Sequence, residues 1–170
     1  MHLASIPCVV RVLPEIMNQI HSQKVQPEIL IRNAVEMDLA AIMTFDARSN
    51  KDANPRYWQE MFARYGNDKS KQLFLVCETR EEIAGFIIGE VRDWEFGSHP
   101  CGWVFALGVR PDVRLDGIAT QLYAAMCEFF KQAGVTTVRT MLARQDIDSL
   151  SFFRSQGMMA GPYVQLEKDL

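Results

Sequence analysis

Little in this sequence points to metal or disulfide chemistry. Its 170 residues include four cysteines and three histidines. Cys8, Cys77, Cys101 and Cys127 form no CxxC pair, and His2, His21 and His99 show neither HxxxH nor HExxH spacing. No metal site is expected, and the cysteines read as reduced core residues. An excess of basic charge is also lacking: 18 Lys and Arg stand against 21 Asp and Glu, a net charge of −3. That balance argues against a nucleic-acid surface, because neutralising phosphates needs clustered cations. No apolar run approaches the length of a membrane helix. The apolar patch from Leu3 to Val10 has no basic leader and is interrupted by Pro7 and Arg11. No signal peptide is read there, and a cytoplasmic location is expected. Neither GxxxxGK[ST] nor GxGxxG occurs, so two common nucleotide-binding loops are missing.

What remains is ordinary globular composition, 48% hydrophobic and 23% charged, in a length that suits one domain with a real core. Residues 1–27 read as an extension. Pro14 suits the first turn of a short helix through Ile16 and Ile20, and Pro27 would close it. Such a segment could pack on the domain or help a homodimer form; the sequence leaves both open. Residues 28–170 read as a single domain.

Strands are expected at Glu28–Arg32, Gln72–Glu78, Ile83–Asp93, Gly102–Val109, Val135–Arg144 and Tyr163–Lys168. The charged turn Thr79-Arg80-Glu81-Glu82 makes the second and third a hairpin, and Gly85 and Gly89 suggest bulges. Helices are expected at Glu36–Ala47, from Asn54-Pro55 to Gly66, at Asp116–Ala133 and at Asp148–Gln156. Their apolar faces carry Leu39 and Ile42; Trp58, Met61, Phe62 and Tyr65; and Ile118, Leu122, Met126 and Phe129. The order predicts a mixed α/β domain with antiparallel and parallel strand pairs.

The most informative stretch is Gly102 to Lys131. A buried strand runs through a Val109-Arg110-Pro111 turn into a loop with Arg114 and Gly117, then into a long amphipathic helix. Unpaired N–H groups and the aligned dipoles at a helix N-terminus favour anions. Arg114 adds a cation, and Gly117 removes the side chain that would hold a phosphate away. Alternation places Trp103, Phe105, Leu107 and Val109 on one strand face, with Val104, Ala106 and Gly108 on the other.

With its Arg114-x-x-Gly117-x-Ala119 loop in this setting, the chain resembles the GCN5-related N-acetyltransferase (GNAT) superfamily. The resemblance covers roughly residues 28–168 and is densest from 102 to 158. It implies a central mixed, twisted sheet flanked by helices, and acetyl-CoA as co-substrate. It further implies that Arg114, Leu115, Asp116, Gly117, Ile118, Ala119 and Thr120 wrap the coenzyme pyrophosphate. Asp116 itself would then point outward as a cap or first-turn residue. Leu107, Gly108 and Val109 would pair with the pantetheine arm, and an N–H there would stabilise an oxyanion. The last helix keeps the family spacing but reads Asp146, Ser149, Phe153, Gly157 and Met158. Asp146 and Phe153 would line the coenzyme, although Phe153 stands where a tyrosine usually protonates the thiolate.

The implied reaction is acetyl transfer from acetyl-CoA to a primary amine, by direct attack in a ternary complex. The acceptor, small molecule or protein, is unidentified. Trp103 occupies the usual position of the base. Glu90 on the neighbouring strand is the candidate general base, with a strand-end carboxylate in solvent or paired with Arg92 as its alternative reading. Tyr57, Trp58, Tyr65 and Trp94 are candidates for an aromatic acceptor wall. With acid and base both replaced, a non-catalytic acyl-CoA-binding or regulatory domain is the alternative function.

Overall fold

Turn chemistry sets the centre of the fold. Arg80 and Glu81 both adopt positive φ, 51° and 63°, closing a two-residue hairpin between β2 (Gln72–Thr79) and β3 (Glu82–Arg92). The structure, a computed structural model, describes residues 29–49, 54–66, 70–93, 97–113 and 117–169. The expected extension at 1–27 lies outside these, as do Trp94 and Arg114 to Asp116.

Strand β1 (Ile29–Asn33) pairs antiparallel with β2, and β4 (Cys101–Val109) pairs antiparallel with β3. The short β5 (Val138–Thr140) then pairs parallel with β4. The result is one five-stranded sheet in sequence order. Helix α1 (Leu39–Ser49) follows a short 3-10 turn at Glu36–Asp38. Helix α2 (Pro55–Tyr65) opens with Asn54 Oδ1 accepting the Tyr57 N–H at 3.2 Å, and Gly66 closes it, as cap chemistry requires. The remaining helices are α3 (Ile118–Gln132) and α4 (Ile147–Ser155), the latter capped by Asp146, whose Oδ1 accepts the Ser149 N–H at 3.1 Å.

The helices cover both faces of the sheet, giving two cores. Leu39, Ile42, Trp58 and Tyr65 from α1 and α2 pack on Phe74, Val76, Phe86 and Ile88. Ile118, Leu122, Met126 and Phe130 from α3, with Phe153 from α4, pack on Leu75, Ile87 and Val104. The 3.6-residue period continues from Met126 to Phe130, which is 1% exposed, so Phe129 is only a partly buried flank. Cys77 and Cys101 are buried and free, and Cys127 is half-buried and free.

Three expectations for strands are corrected. In β4 the register slips between Ile88 and Gly89: Ile88 faces Ala106 while Gly89 faces Val104, leaving Phe105 as the extra residue. This bulge breaks the alternation. Phe105 and Ala106 both pack on the α1/α2 side, and Leu107 and Val109 move to the α3 side with Val104. A second bulge leaves Ala84, beside Gly85, unpaired between Ile83 and Gly85. The strand expected over Val135–Arg144 is confined to the three residues of β5.

Residues 163–168 form no strand, and Val164 and Leu166 are 81% and 91% exposed. An alternating pattern becomes a strand only where a neighbour takes its hydrogen bonds and covers one face. Here the Arg139 guanidinium lies over the Tyr163 ring of the tail, 4.7 Å from its centroid.

Candidate active site

The bulge and the short fifth strand together open the sheet. β5 follows β4 only along Gly102 to Val104, and Thr140 Oγ1 donates to the Val104 carbonyl at 2.9 Å where the two strands part. Beyond that point β4 continues without a partner on its β5 side among the described residues. The Arg110 N–H donates to the Ala84 carbonyl at 2.8 Å, which fixes the phase of the β3–β4 ladder. Ala106 and Gly108 therefore direct their backbone groups to β3, and Leu107 and Val109 direct theirs to the open edge.

That edge borders a cleft of about 1280 Å³. The first turn of α3 closes one end: Gly117, Ile118, Ala119 and Thr120 all line the cleft. Gly117 is the N-cap in a left-handed conformation, φ 78°, with open space around its missing side chain. A glycine is needed for that conformation and for close approach of a ligand to the backbone. Its carbonyl already accepts the Gln121 N–H at 3.0 Å. The N–H groups of the first helical turn have no intrahelical acceptors and are available to an anion.

The opposite wall belongs to α4. Asp146, Ser149, Ser151 and Phe153 line it. Phe153 is 5% exposed and packs edge-on against Phe152 and Tyr123, with centroids 5.1 and 5.7 Å away. Tyr123 is a phenol packed against the expected acid position, Phe153. It does not line the cleft; burial and then the Cys127 side chain push its pKa well up. Ser149 and Ser151 are the hydroxyls that α4 brings to the cavity.

The structure thus gathers Leu107, Gly108, Val109, Gly117, Ile118, Ala119, Thr120, Asp146 and Phe153 around one cavity. Gly108 has a further reason to be glycine: a Cβ there would lie 2.5 Å from the Phe86 ring. Glu90 is not among the lining residues. It is 8% exposed, accepts from Arg92 Nε at 2.8 Å, and has Gln72 Nε2 at 3.4 Å. Of its two sequence readings, the structure displays the Arg92 pair. The Arg92 guanidinium in turn lies 4.6 Å from the Trp103 centroid and 4.7 Å from that of Phe105. Burial, followed by the charge of Glu90, pushes the nearby Tyr65 phenol up.

On the α2 side the cleft is walled by Tyr57, Trp58, Phe86 and Phe105, with Met141 beyond β5. Of the candidates for an aromatic wall, Tyr57 borders the cleft at 45% exposure, while Trp58 touches it from within the core at 2% exposure. Tyr65 instead sits behind Phe105, 5.4 Å from its ring. Sequence reading missed Thr140, whose hydroxyl marks the fork. A β-branched hydroxyl at the last residue of a short parallel strand was its available signal.

A mixed sheet parted beside a glycine-capped helix defines a domain that can hold an extended, phosphate-bearing ligand. Residues 39–158 match the acetyltransferase (GNAT) family, and the chain belongs to that family. Its fold is similar to that of an aminoglycoside N-acetyltransferase in complex with CoA: TM-score 0.72 and 16% identity, covering 84% of this chain and 95% of that one. An aminoglycoside antibiotic 6'-N-acetyltransferase from Acinetobacter baumannii gives TM-score 0.70 and 20% identity, covering 84% and 99%. A transcriptional regulator from Bacillus halodurans gives TM-score 0.71 and 21% identity, covering 84% and 100%. At these identities the likeness is one of fold. No curated protein matches the chain.

Proposed function

We propose that this protein is an acetyl-CoA-dependent N-acetyltransferase that acetylates a primary amine by direct attack in a ternary complex. The observation that carries the reading is continuous backbone polarity along one wall. The open edge at Leu107 and Val109 leads to the first turn of α3, where Gly117 opens the approach. An extended amide-bearing arm suits the first part, and a diphosphate suits the second. Arg114, Leu115 and Asp116 complete the loop in this proposal, with Arg114 supplying the cation. CoA in a fold neighbour supports the same ligand.

Bound acetyl-CoA would supply an acetyl group activated as a thioester. The Leu107 and Val109 backbones orient it and offer N–H donors to charge developing on the carbonyl oxygen. Phe105 and Trp58 exclude water from the attacking side. The amine nitrogen forms the new C–N bond as the C–S bond breaks, and the amine's proton passes through water to the departing sulfur. A thiol pKa of about 8.5 makes that departure feasible without a tyrosine. Ser149 and Ser151 can hold the relaying water. In this proposal Glu90 holds Arg92 behind Phe105 and takes no proton.

Calorimetry with acetyl-CoA tests the donor site. Arg114→Glu combined with Gly117→Trp should weaken binding by about 30-fold or more, the loss expected for one or two charge-assisted contacts. Unchanged affinity in a variant that keeps its circular dichroism and melting transition would overturn the assignment. One observation favours a second reading, an acyl-CoA-binding or regulatory domain without turnover: the acid position is filled by the enclosed ring of Phe153. Sustained amine-dependent release of CoA thiol would eliminate it.

A further inference from the structure

The α2 side of the cleft differs chemically from the coenzyme side. Tyr57 stands in front of a row of rings whose inner members, Trp58 and Phe86, are buried at 2% and 5% exposure. Tyr57 and Trp58 meet edge-on at 5.3 Å and 79°, and Trp58 and Phe86 at 5.0 Å and 85°. Phe105 faces the same space because the bulge turns it there, and the Arg92 guanidinium and Tyr65 ring hold it from behind. Tyr57 is 45% exposed and Met141 58% exposed, so the row ends in an accessible apolar mouth.

Two polar side-chain oxygens at this end are already engaged in the fold. Asn54 Oδ1 accepts the Tyr57 N–H, and Thr140 Oγ1 donates to the Val104 carbonyl. Among the described lining residues the carboxylates are Asp146 and Asp148, both on α4, which packs on the opposite face of the sheet from α2. A substrate with several ammonium and hydroxyl groups needs an acceptor or carboxylate for each one it buries. This wall instead offers ring faces and edges, which suit a flat apolar body.

Resting on the proposed acetyltransferase activity, we infer that the acceptor is a monoamine carrying its primary amine on a short chain attached to an aromatic group. The aromatic group seats on Tyr57 and Phe105, with the buried Trp58 bracing Tyr57 from within the core, and the chain reaches toward the open edge of β4. Neither the aminoglycosides named for its fold neighbours nor a linear polyamine fits this wall.

The test is initial-rate kinetics by thiol detection at saturating acetyl-CoA, with phenethylamine, tryptamine, spermidine and kanamycin as acceptors. The aryl amines should exceed both polycations in kcat/KM by about tenfold or more, the discrimination that a shaped apolar pocket supplies. Tyr57→Ala should raise KM for phenethylamine by about tenfold while kcat and acetyl-CoA affinity stay close to wild type, the pattern of lost uniform binding. Tyr57→Glu places a carboxylate on the wall and should narrow the gap toward spermidine. Equal or better turnover of spermidine or kanamycin overturns the inference, as does a Tyr57→Ala effect equal on all four amines. If acetyl-CoA binds in calorimetry but no aryl amine is acetylated, the acceptor inference alone fails. If acetyl-CoA does not bind, the proposed function fails with it.

Discussion

Glu90 shows how a residue's partners determine which of its plausible roles it can fill. A carboxylate in an apolar strand is a natural candidate for a general base, because burial alone would favour its neutral form. Here Arg92 Nε sits 2.8 Å away, with Gln72 at 3.4 Å. The guanidinium also spans two aromatic rings. Removing the charge of Glu90 would take an ion-pair partner from a three-quarters-buried guanidinium. Glu90→Gln should therefore cost about 2 kcal/mol of unfolding free energy in urea titration, the range for breaking a partly buried pair. The pH–rate profile should keep its acidic limb. Loss of that limb, with stability unchanged, would make Glu90 the base after all.

At the scale of elements, the site depends on a departure from strand regularity. Strict alternation would put Phe105 with Leu107 and Val109. The bulge instead sends Phe105 to the α1/α2 side, with the Leu107 and Val109 side chains on the α3 side and their backbone groups at the open edge. The sequence did announce close packing here, through Gly85, Gly89 and Gly108. It could not announce which neighbour each glycine admits, because that depends on cross-strand register. The resemblance implies that Gly108 meets the pantetheine arm; it lines the cleft, and it also makes room for the Phe86 ring. A Cβ at 2.5 Å from that ring forces Phe86 to move. Gly108→Ala should thus cost about 1–3 kcal/mol in urea unfolding, as overpacking does. A cost near zero would show that the ring can yield freely into the cleft. By contrast, the start and stop of α2 were legible because they are local: Asn54 caps it and Gly66 closes it, as their chemistry suits.

For the whole molecule, helices flanking the sheet were implied by the family resemblance, and element order through α4 was legible because apolar periodicity reports directly which side of each helix is buried. The C-terminal strand was not, because Tyr163 to Lys168 carries the pattern without a strand to accept it. The opposite end of the sheet is tied down by charge. Arg32 on β1 donates to both Asp38 carboxylate oxygens, at 2.7 and 2.9 Å, and to Glu78 on β2 at 3.0 Å. The Val35 N–H adds a further bond to Asp38 at 2.8 Å. Burial pushes the Asp38 carboxyl up, but the Arg32 and Val35 donors outweigh it and hold the carboxyl below its ordinary range. A lowered folded pKa means that the contribution is present above the unfolded value, about pH 4, and fades as pH falls through the folded value. Asp38→Asn should therefore lower stability by about 2 kcal/mol at pH 7, a moderate figure because Arg32 is partly solvated and keeps Glu78. In urea titrations at pH 7, 5 and 3, the gap between wild type and variant should hold from 7 to 5 and narrow by 3. A gap independent of pH would assign the loss to packing at the start of α1 and not to the charge that joins β1, β2 and α1.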